Sequence, residues 1–239
     1  VCFFTIIPLG MDEKTLENTA RYLHLSLLIG SIIGFLAGLM MTVLRPISRI
    51  LAGILTLAFI EVITGFHHID GLMDFADGLM CHGTPEDKIK CMHDKFVGVG
   101  GCVASFLVIL ATIASLIELN TPLIIHALII TETSAKLGVV YLATFGRSAS
   151  RGMGKFFIST FQSSYKYSKF AFAVMYAICI SLILLSWRGI IIPLITLGTA
   201  HIILLISLRS FKAITGDVMG ATNEIVRLVC LISMLVMTK

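Results

Sequence analysis

Residues 25–44 read LSLLIGSIIGFLAGLMMTVL, twenty positions with no charged side chain and no proline. A helix needs about 20 apolar residues to cross the hydrocarbon core of a bilayer, so this stretch is expected to span a membrane. Six further stretches of the same character follow at 50–66, 97–117, 121–145, 170–187, 189–208 and 225–238. The second and last are short, and 121–145 carries Glu132 and Lys136. The whole chain of 239 residues is 57% hydrophobic and 13% charged, with a mean hydropathy of +0.97, whereas soluble domains carry about 25% charge. Lipid must be part of its solvent. The expectation is an all-α, polytopic integral membrane protein with about seven transmembrane helices, forming one domain over 1–239 without internal repeats. A net charge of +4 is too small to argue for nucleic acid, and the expected surroundings are the bilayer. The six scattered cysteines, Cys2, Cys81, Cys91, Cys102, Cys179 and Cys230, read as reduced small hydrophobes. The first apolar run is short, contains Pro8 and leads into the charged segment from Asp12 to Arg21, which is not the pattern of a cleavable signal peptide.

Seven crossings put the two termini on opposite sides, which sorts the connections into two groups. Twelve Lys and Arg residues fall on the N-terminal side and four on the other, so the N terminus and the three longest polar connections, 67–96, 146–169 and 209–224, are expected in the cytoplasm.

The first of these connections opens with His67-His68-Ile69-Asp70-Gly71-Leu72-Met73-Asp74-Phe75-Ala76-Asp77-Gly78. On a helix Asp70, Asp74 and Asp77 fall within about 60° of arc, with His67 on the same side. A solvated face would interleave bases with the acids, yet none occurs between Arg49 and Lys88. Uncompensated carboxylates at a membrane surface call for a cation, and oxygen ligands suit Mg²⁺, or Mn²⁺, bridged to substrate phosphates. Asp94 is a candidate fourth carboxylate. The glycines that follow it, Gly98, Gly100 and Gly101, suit either close packing or a phosphate held by backbone N–H groups. Zinc is disfavoured because the nearby His and Cys residues lack a recognisable ligand spacing.

Other polar residues stand where lipid would penalise them. Glu61 lies inside the second span, half a turn away from Asp70 on an unbroken helix, so it can join the same metal set only across a kink. Glu132 and Lys136 are four residues apart and suit a structural ion pair, or Lys136 meets a substrate phosphate. Arg147 and Arg151 flank small residues in an acid-free basic connection, a composition suited to polyphosphate. Thr215-Gly216-Asp217-Val218-Met219-Gly220-Ala221-Thr222-Asn223-Glu224 reads as a polar loop able to close on a ligand.

Three motifs together resemble one family. They are His68-x-Asp70-Gly71-x-x-Asp74-x-x-Asp77-Gly78, then Asp94-x-x-Val97-Gly98-x-x-Gly101, then Thr215-Gly216-Asp217-x-x-Gly220-Ala221-x-x-Glu224. In this order, on a chain of this length that opens Phe4-Thr5-Ile6-Ile7-Pro8, the pattern resembles the adenosylcobalamin 5'-phosphate synthase (cobalamin synthase) family. Two positions depart from it: Arg227 stands where the family usually has an acid, and Lys136 where an arginine is expected. The resemblance implies an adenosylcobinamide-GDP ribazoletransferase of late vitamin B12 assembly, passing cobinamide phosphate to α-ribazole or its 5'-phosphate and releasing GMP with Mg²⁺. For such chemistry the expected metal set is Asp70, Asp74, Asp77 and Asp94, with Glu61 joining only across a kink, and the expected base is one of these carboxylates, His67, His68 or Asp217. Lys136, Arg147, Arg151, Gly98, Thr215, Gly216 and Glu224 would contact substrate. The implied location is the cell membrane, with the site facing the cytoplasm, and a homo-oligomer is compatible with it. Asp74-x-x-Asp77-Gly78 also looks like the start of the CDP-alcohol phosphotransferase motif, which is the nearest alternative. A transporter would share the spans, but here the acids gather at one surface rather than at the midplane.

Overall fold

The computed structural model describes residues 13–119, 121–149 and 152–238. Cys2, the opening Phe4–Pro8 motif, the charged-segment reading that begins at Asp12, and Arg151 lie outside the described residues. The helices are α1 (Glu13–Arg21), α2 (Ser26–Leu44), α3 (Arg49–Ile63), α4 (His67–Met80), α5 (Pro85–Met92) and α6 (Val99–Glu118), then α7 (Ile124–Phe145), α8 (Met153–Gln162), α9 (Lys166–Leu185), α10 (Ile191–Ser210) and α11 (Gly216–Thr238). Among the described residues the only strand-like pairing is a single parallel bridge between Ser148 and Ile214.

Five stretches are long and apolar enough to cross a membrane, or six if α3 and α4 form one broken crossing. One of the five, Lys166–Ser210, has 45 residues. As a straight rod it would be about 68 Å long, more than twice the bilayer core. Instead a 3-10 turn over Ser186–Ile190 separates α9 from α10, and Gly189 lies so close to Ser181 that a Cβ would stand 2.0 Å from its carbonyl oxygen. Both helices then pack on α7. Counted this way, the crossings agree with the seven expected.

The polar fourth span becomes intelligible from its position. The spanning window of α7 is 83% buried, enclosed by α2, α9, α10 and α11, so its polar side chains meet protein rather than lipid. The α2 contact depends on three glycines one turn apart: a Cβ on Gly30 would come within 2.6 Å of the Glu132 carbonyl oxygen, and one on Gly34 within 2.3 Å of that of Leu128. Close backbone approach gains dispersion contacts in a solvent that offers helices no hydrophobic drive to associate. Hydroxyls add to it, since Ser31 Oγ lies 2.8 Å from Thr133 Oγ1 and 2.9 Å from Tyr176 Oη.

Four details differ from the sequence expectation. The second span breaks after Ile63, and α4 leaves at 90° to α3. Gly65 and Phe66 both take positive φ, 67° and 60°, and the Phe66 N–H donates to the Glu61 carbonyl at 2.9 Å, closing the helix as a left-handed cap. The stretch 216–224 is not a loop but the first turns of α11, whose Val218 N–H is accepted by the Thr215 hydroxyl at 3.3 Å. The basic connection contains α8, which packs on α1. Cys81 and Cys91 are joined in a disulfide rather than reduced. Thr84 caps α5, with a full capping box to Asp87. Hydrogen bonds from the Thr84 hydroxyl and N–H hold the Asp87 carboxyl below its usual range.

The three long connections meet at one end of the bundle. Ile214 N–H donates to the Arg147 carbonyl at 2.8 Å and Ala149 N–H to that of Ile214 at 3.2 Å, which ties the basic connection to the start of α11. The rings of Phe75 and Phe211 lie 5.8 Å apart, which ties in α4.

Candidate functional site

Just inside that end lies a cavity of about 350 Å³. Thr64 and the first turn of α4, with His67, His68 and Asp70, form one side, and Gly216, Asp217, Met219 and Gly220 of α11 face them. Lys136 and Val139 of α7, Leu23, and Met153, Gly154 and Phe157 of α8 complete the lining.

Glycines set the spacing of these walls. A Cβ on Gly71 would stand 2.9 Å from the Asp217 carbonyl oxygen, and one on Gly220 3.2 Å from those of His67 and His68. Only bare backbone lets α4 and α11 cross this closely, and the crossing places Asp70 and Asp217 on one cavity. A Cβ on Gly154 would likewise stand 2.5 Å from the Gly216 nitrogen, so α8 is drawn onto the start of α11. The glycine at 71 thus serves helix packing.

Lys136 is 0% exposed, and Glu132 does not partner it. Its Nζ donates to Asn223 Oδ1 at 2.7 Å and lies 3.4 Å from His68 Nε2. An ammonium has no lone pair, so Nε2 accepts and a neutral His68 carries its proton on Nδ1, which is buried without a partner. The Thr215 hydroxyl donates to Asp217 Oδ2 at 3.2 Å, while His93 Nδ1 stands 3.9 Å from the same oxygen.

The remaining predicted residues sit elsewhere. Asp77 accepts the Gly98 and Gly101 N–H groups, each at 2.7 Å, and so caps α6. Gly98 is therefore occupied by a carboxylate of the chain itself, since a Cβ there would meet Asp77 Oδ1 at 2.4 Å. Asp74 is half-buried on α4 and feels the charges of Asp217, Asp70 and Asp77. Asp94 is exposed and accepts the Phe96 N–H at 3.2 Å. The Arg147 side chain is exposed outside the cavity. Glu61, 6% exposed, does not join the acid stripe even though the helix breaks after Ile63, and pairs instead with Arg227 at 2.6 Å. Glu132 meets the same guanidinium at 2.6 Å, and Glu224 also binds it. The sequence pairing of Glu132 with Lys136 is thus replaced by Glu132 with Arg227, and Glu224 is a partner of Arg227 and Asn223. The family departure at 227 has a local cause: three buried acids surround it.

Sequence reasoning missed the apolar lining and Asn223. Apolar residues facing a cavity carry the same signal as those facing lipid, and Asn223 was visible only as a polar residue beside Glu224.

Among the described residues no three His, Cys, Asp or Glu side chains converge as a closed metal centre. Nor does any Lys or Arg among them lie within ion-pair distance of Asp70, Asp74, Asp77 or Asp217. Such a donor set fits Mg²⁺, which is commonly held by one or two carboxylates and completed by water and substrate phosphates.

No solved structure matches the chain. Curated relatives named adenosylcobinamide-GDP ribazoletransferase do. The protein of Methanococcoides burtonii is 31% identical over 96% of this chain and 87% of its own length. That of Methanocella arvoryzae is 31% identical over 97% and 91%, and that of Clostridium novyi 31% over 98% and 93%. Residues 1–235 match the cobalamin-5-phosphate synthase family, and with acids of its first and third motifs facing each other across one cavity, the chain belongs to that family.

Proposed function

We propose that the protein transfers cobinamide phosphate from adenosylcobinamide-GDP to a ribose hydroxyl of α-ribazole or its 5'-phosphate, releasing GMP, at the cytoplasmic face of the cell membrane. The observation that carries this reading is the meeting of Asp70, Asp217 and Lys136, distant in sequence, on one small cavity.

Attack of an alcohol on a pyrophosphate requires alignment, neutralisation of phosphate charge and a proton acceptor. Lys136 supplies a fixed cation, directed by Asn223, for the phosphate oxygens. His68, its Nε2 engaged by Lys136, offers Nδ1–H as a donor to a phosphoryl oxygen rather than acting as base. That leaves the carboxylates, and Asp217 is the better acceptor of the hydroxyl proton: it lines the cavity, and the Thr215 hydroxyl on Oδ2 holds it in place. The oxygen–phosphorus bond forms as the bond to GMP breaks. Asp70 and Asp74 are the residues to hold Mg²⁺, which when bound neutralises the pyrophosphate. Asp77 supports them by fixing α4 to α6.

The test is to incubate the purified protein with adenosylcobinamide-GDP, α-ribazole and Mg²⁺ and to measure GMP and the new cobamide. Equal molar formation of both is expected. Release of GMP without a cobamide, or turnover only when a CDP-alcohol replaces the donor, would overturn the reading.

A further inference from the structure

The cavity is lined unevenly. The first turn of α4 brings only polar side chains to it, His67, His68 and Asp70, whereas α8 brings the apolar Met153 and Phe157, joined by Leu23, and α7 and α11 add one of each kind, Lys136 with Val139 and Asp217 with Met219. The volume of about 350 Å³ is near the lower end of the ~300–1,000 Å³ common for small-molecule sites. A corrin ring with its amide arms and nucleotide cannot enter it. Beside the reacting phosphates there is room for one aromatic base at most, and two compete for the place: guanine on the donor and dimethylbenzimidazole on the acceptor.

Their edges decide between them. Guanine presents N–H donors and carbonyl and ring-nitrogen acceptors around its rim, and none of the five apolar side chains can answer them. A buried polar group without a partner costs about 1–3 kcal/mol. Dimethylbenzimidazole presents two methyl groups and one free ring nitrogen, so its rim matches this wall. Phe157 brings an aromatic ring to the lining, and the Met153 and Met219 thioethers adapt to a bulky edge. The wall and the polar set also share helices. Val139 lies one turn beyond Lys136 on α7, and Met219 follows Asp217 on α11, so a base on the wall leaves its sugar close to the carboxylates.

We propose that Leu23, Val139, Met153, Phe157 and Met219 form the seat of the acceptor's aromatic base, leaving guanine and the corrin outside the cavity. The assignment rests on the transfer reading for the identity of the two bases.

The test is calorimetric binding to the detergent-solubilised protein without donor, using α-ribazole, the same riboside of unsubstituted benzimidazole, and guanosine. Loss of two buried methyl groups is expected to weaken binding by about tenfold, and guanosine is expected to bind at least a hundredfold more weakly than α-ribazole. Equal binding of the two benzimidazole ribosides, or guanosine binding as tightly as α-ribazole, would overturn the proposal. In turnover, Phe157→Ala should raise KM for α-ribazole at least tenfold and leave KM for adenosylcobinamide-GDP within twofold. Met153→Ala, at a side chain 55% exposed and so tolerant of truncation, should shift the acceptor KM in the same sense. A shift confined to the donor KM would overturn it. Methyl-dependent binding without any transfer would support the wall and sink the transferase reading. Transfer without methyl dependence would sink the wall alone.

Discussion

Arg227 is fully buried beside Glu61, Glu132 and Glu224, and its replacement by Met gives the sharpest test of how the bundle interior is held. Methionine approximates the length of the side chain and removes its charge and donors. Three carboxylates would then remain in a low-dielectric interior, with Lys136 the nearest described cation and already bonded to Asn223. Removing one partner of a buried ion pair costs about 3–5 kcal/mol, and here one cation serves three acids, so the upper end applies. At this chain length that is on the order of 10 °C in Tm. Glu61→Gln should behave oppositely. The carboxylate keeps one oxygen on Arg227 at 2.6 Å while its Oε2 is buried without a partner, so the amide retains an acceptor and relieves the excess of negative charge. Its cost should stay at about 1–2 kcal/mol, the amide N–H groups left without an acceptor being offset by the lost negative charge, and so below that of Arg227→Met. Thermal unfolding of both variants in detergent, with the parent protein alongside, gives the comparison. Parent-like stability of Arg227→Met, or an equal loss in Glu61→Gln, would refute the argument that the acids outnumber their cations.

Other expectations can be checked with less work. Asp217→Asn should lower GMP release by at least about a hundredfold, the size of a lost general base, with Tm within about 2 °C of the parent, as expected of a near-isosteric change at a partly buried site; parent-like turnover would return Asp217 to a packing role. Asp77→Ala should instead lower Tm, since α6 loses a cap worth about 1–2 kcal/mol, and activity per folded molecule should fall far less than in Asp217→Asn. Single cysteines replacing the exposed residues Glu86, Ser163 and Arg209, in a background without other cysteines, should all react with an impermeant reagent only from the cytoplasmic side. Labelling of any one from outside would overturn the orientation.

The crossings were legible because an apolar run of about twenty residues suits little besides the core of a bilayer. Hydropathy, however, measures what a residue prefers and not what surrounds it. It therefore read 216–224 as a loop, although Thr222, Asn223 and Glu224 are buried in protein. It also read α3 and α4 as a span and its tail, because a cap at Gly65 and Phe66 leaves little mark on an average. Helical periodicity placed Asp70, Asp74 and Asp77 on one stripe, but it says nothing of what stands opposite each. Asp70 meets the cavity, whereas Asp77 meets the start of α6. The Cys81–Cys91 link follows from the return of α5 along the end of α4, which no spacing rule announces.

The glycine-tight crossing of α4 and α11 has one more effect. Both helices begin at the cavity, and the first turn of a helix carries roughly half a positive charge on its unpaired N–H groups. The first turns of both helices line the same small volume, and although Thr215 takes one N–H of α11, the two dipoles favour an anion there. On the transferase reading, this backbone contribution lets a pyrophosphate be held with Lys136 as the one Lys or Arg lining the cavity among the described residues. On the same reading, replacing every lysine and arginine in turn would under-report phosphate binding, because part of it falls to groups that no side-chain substitution removes.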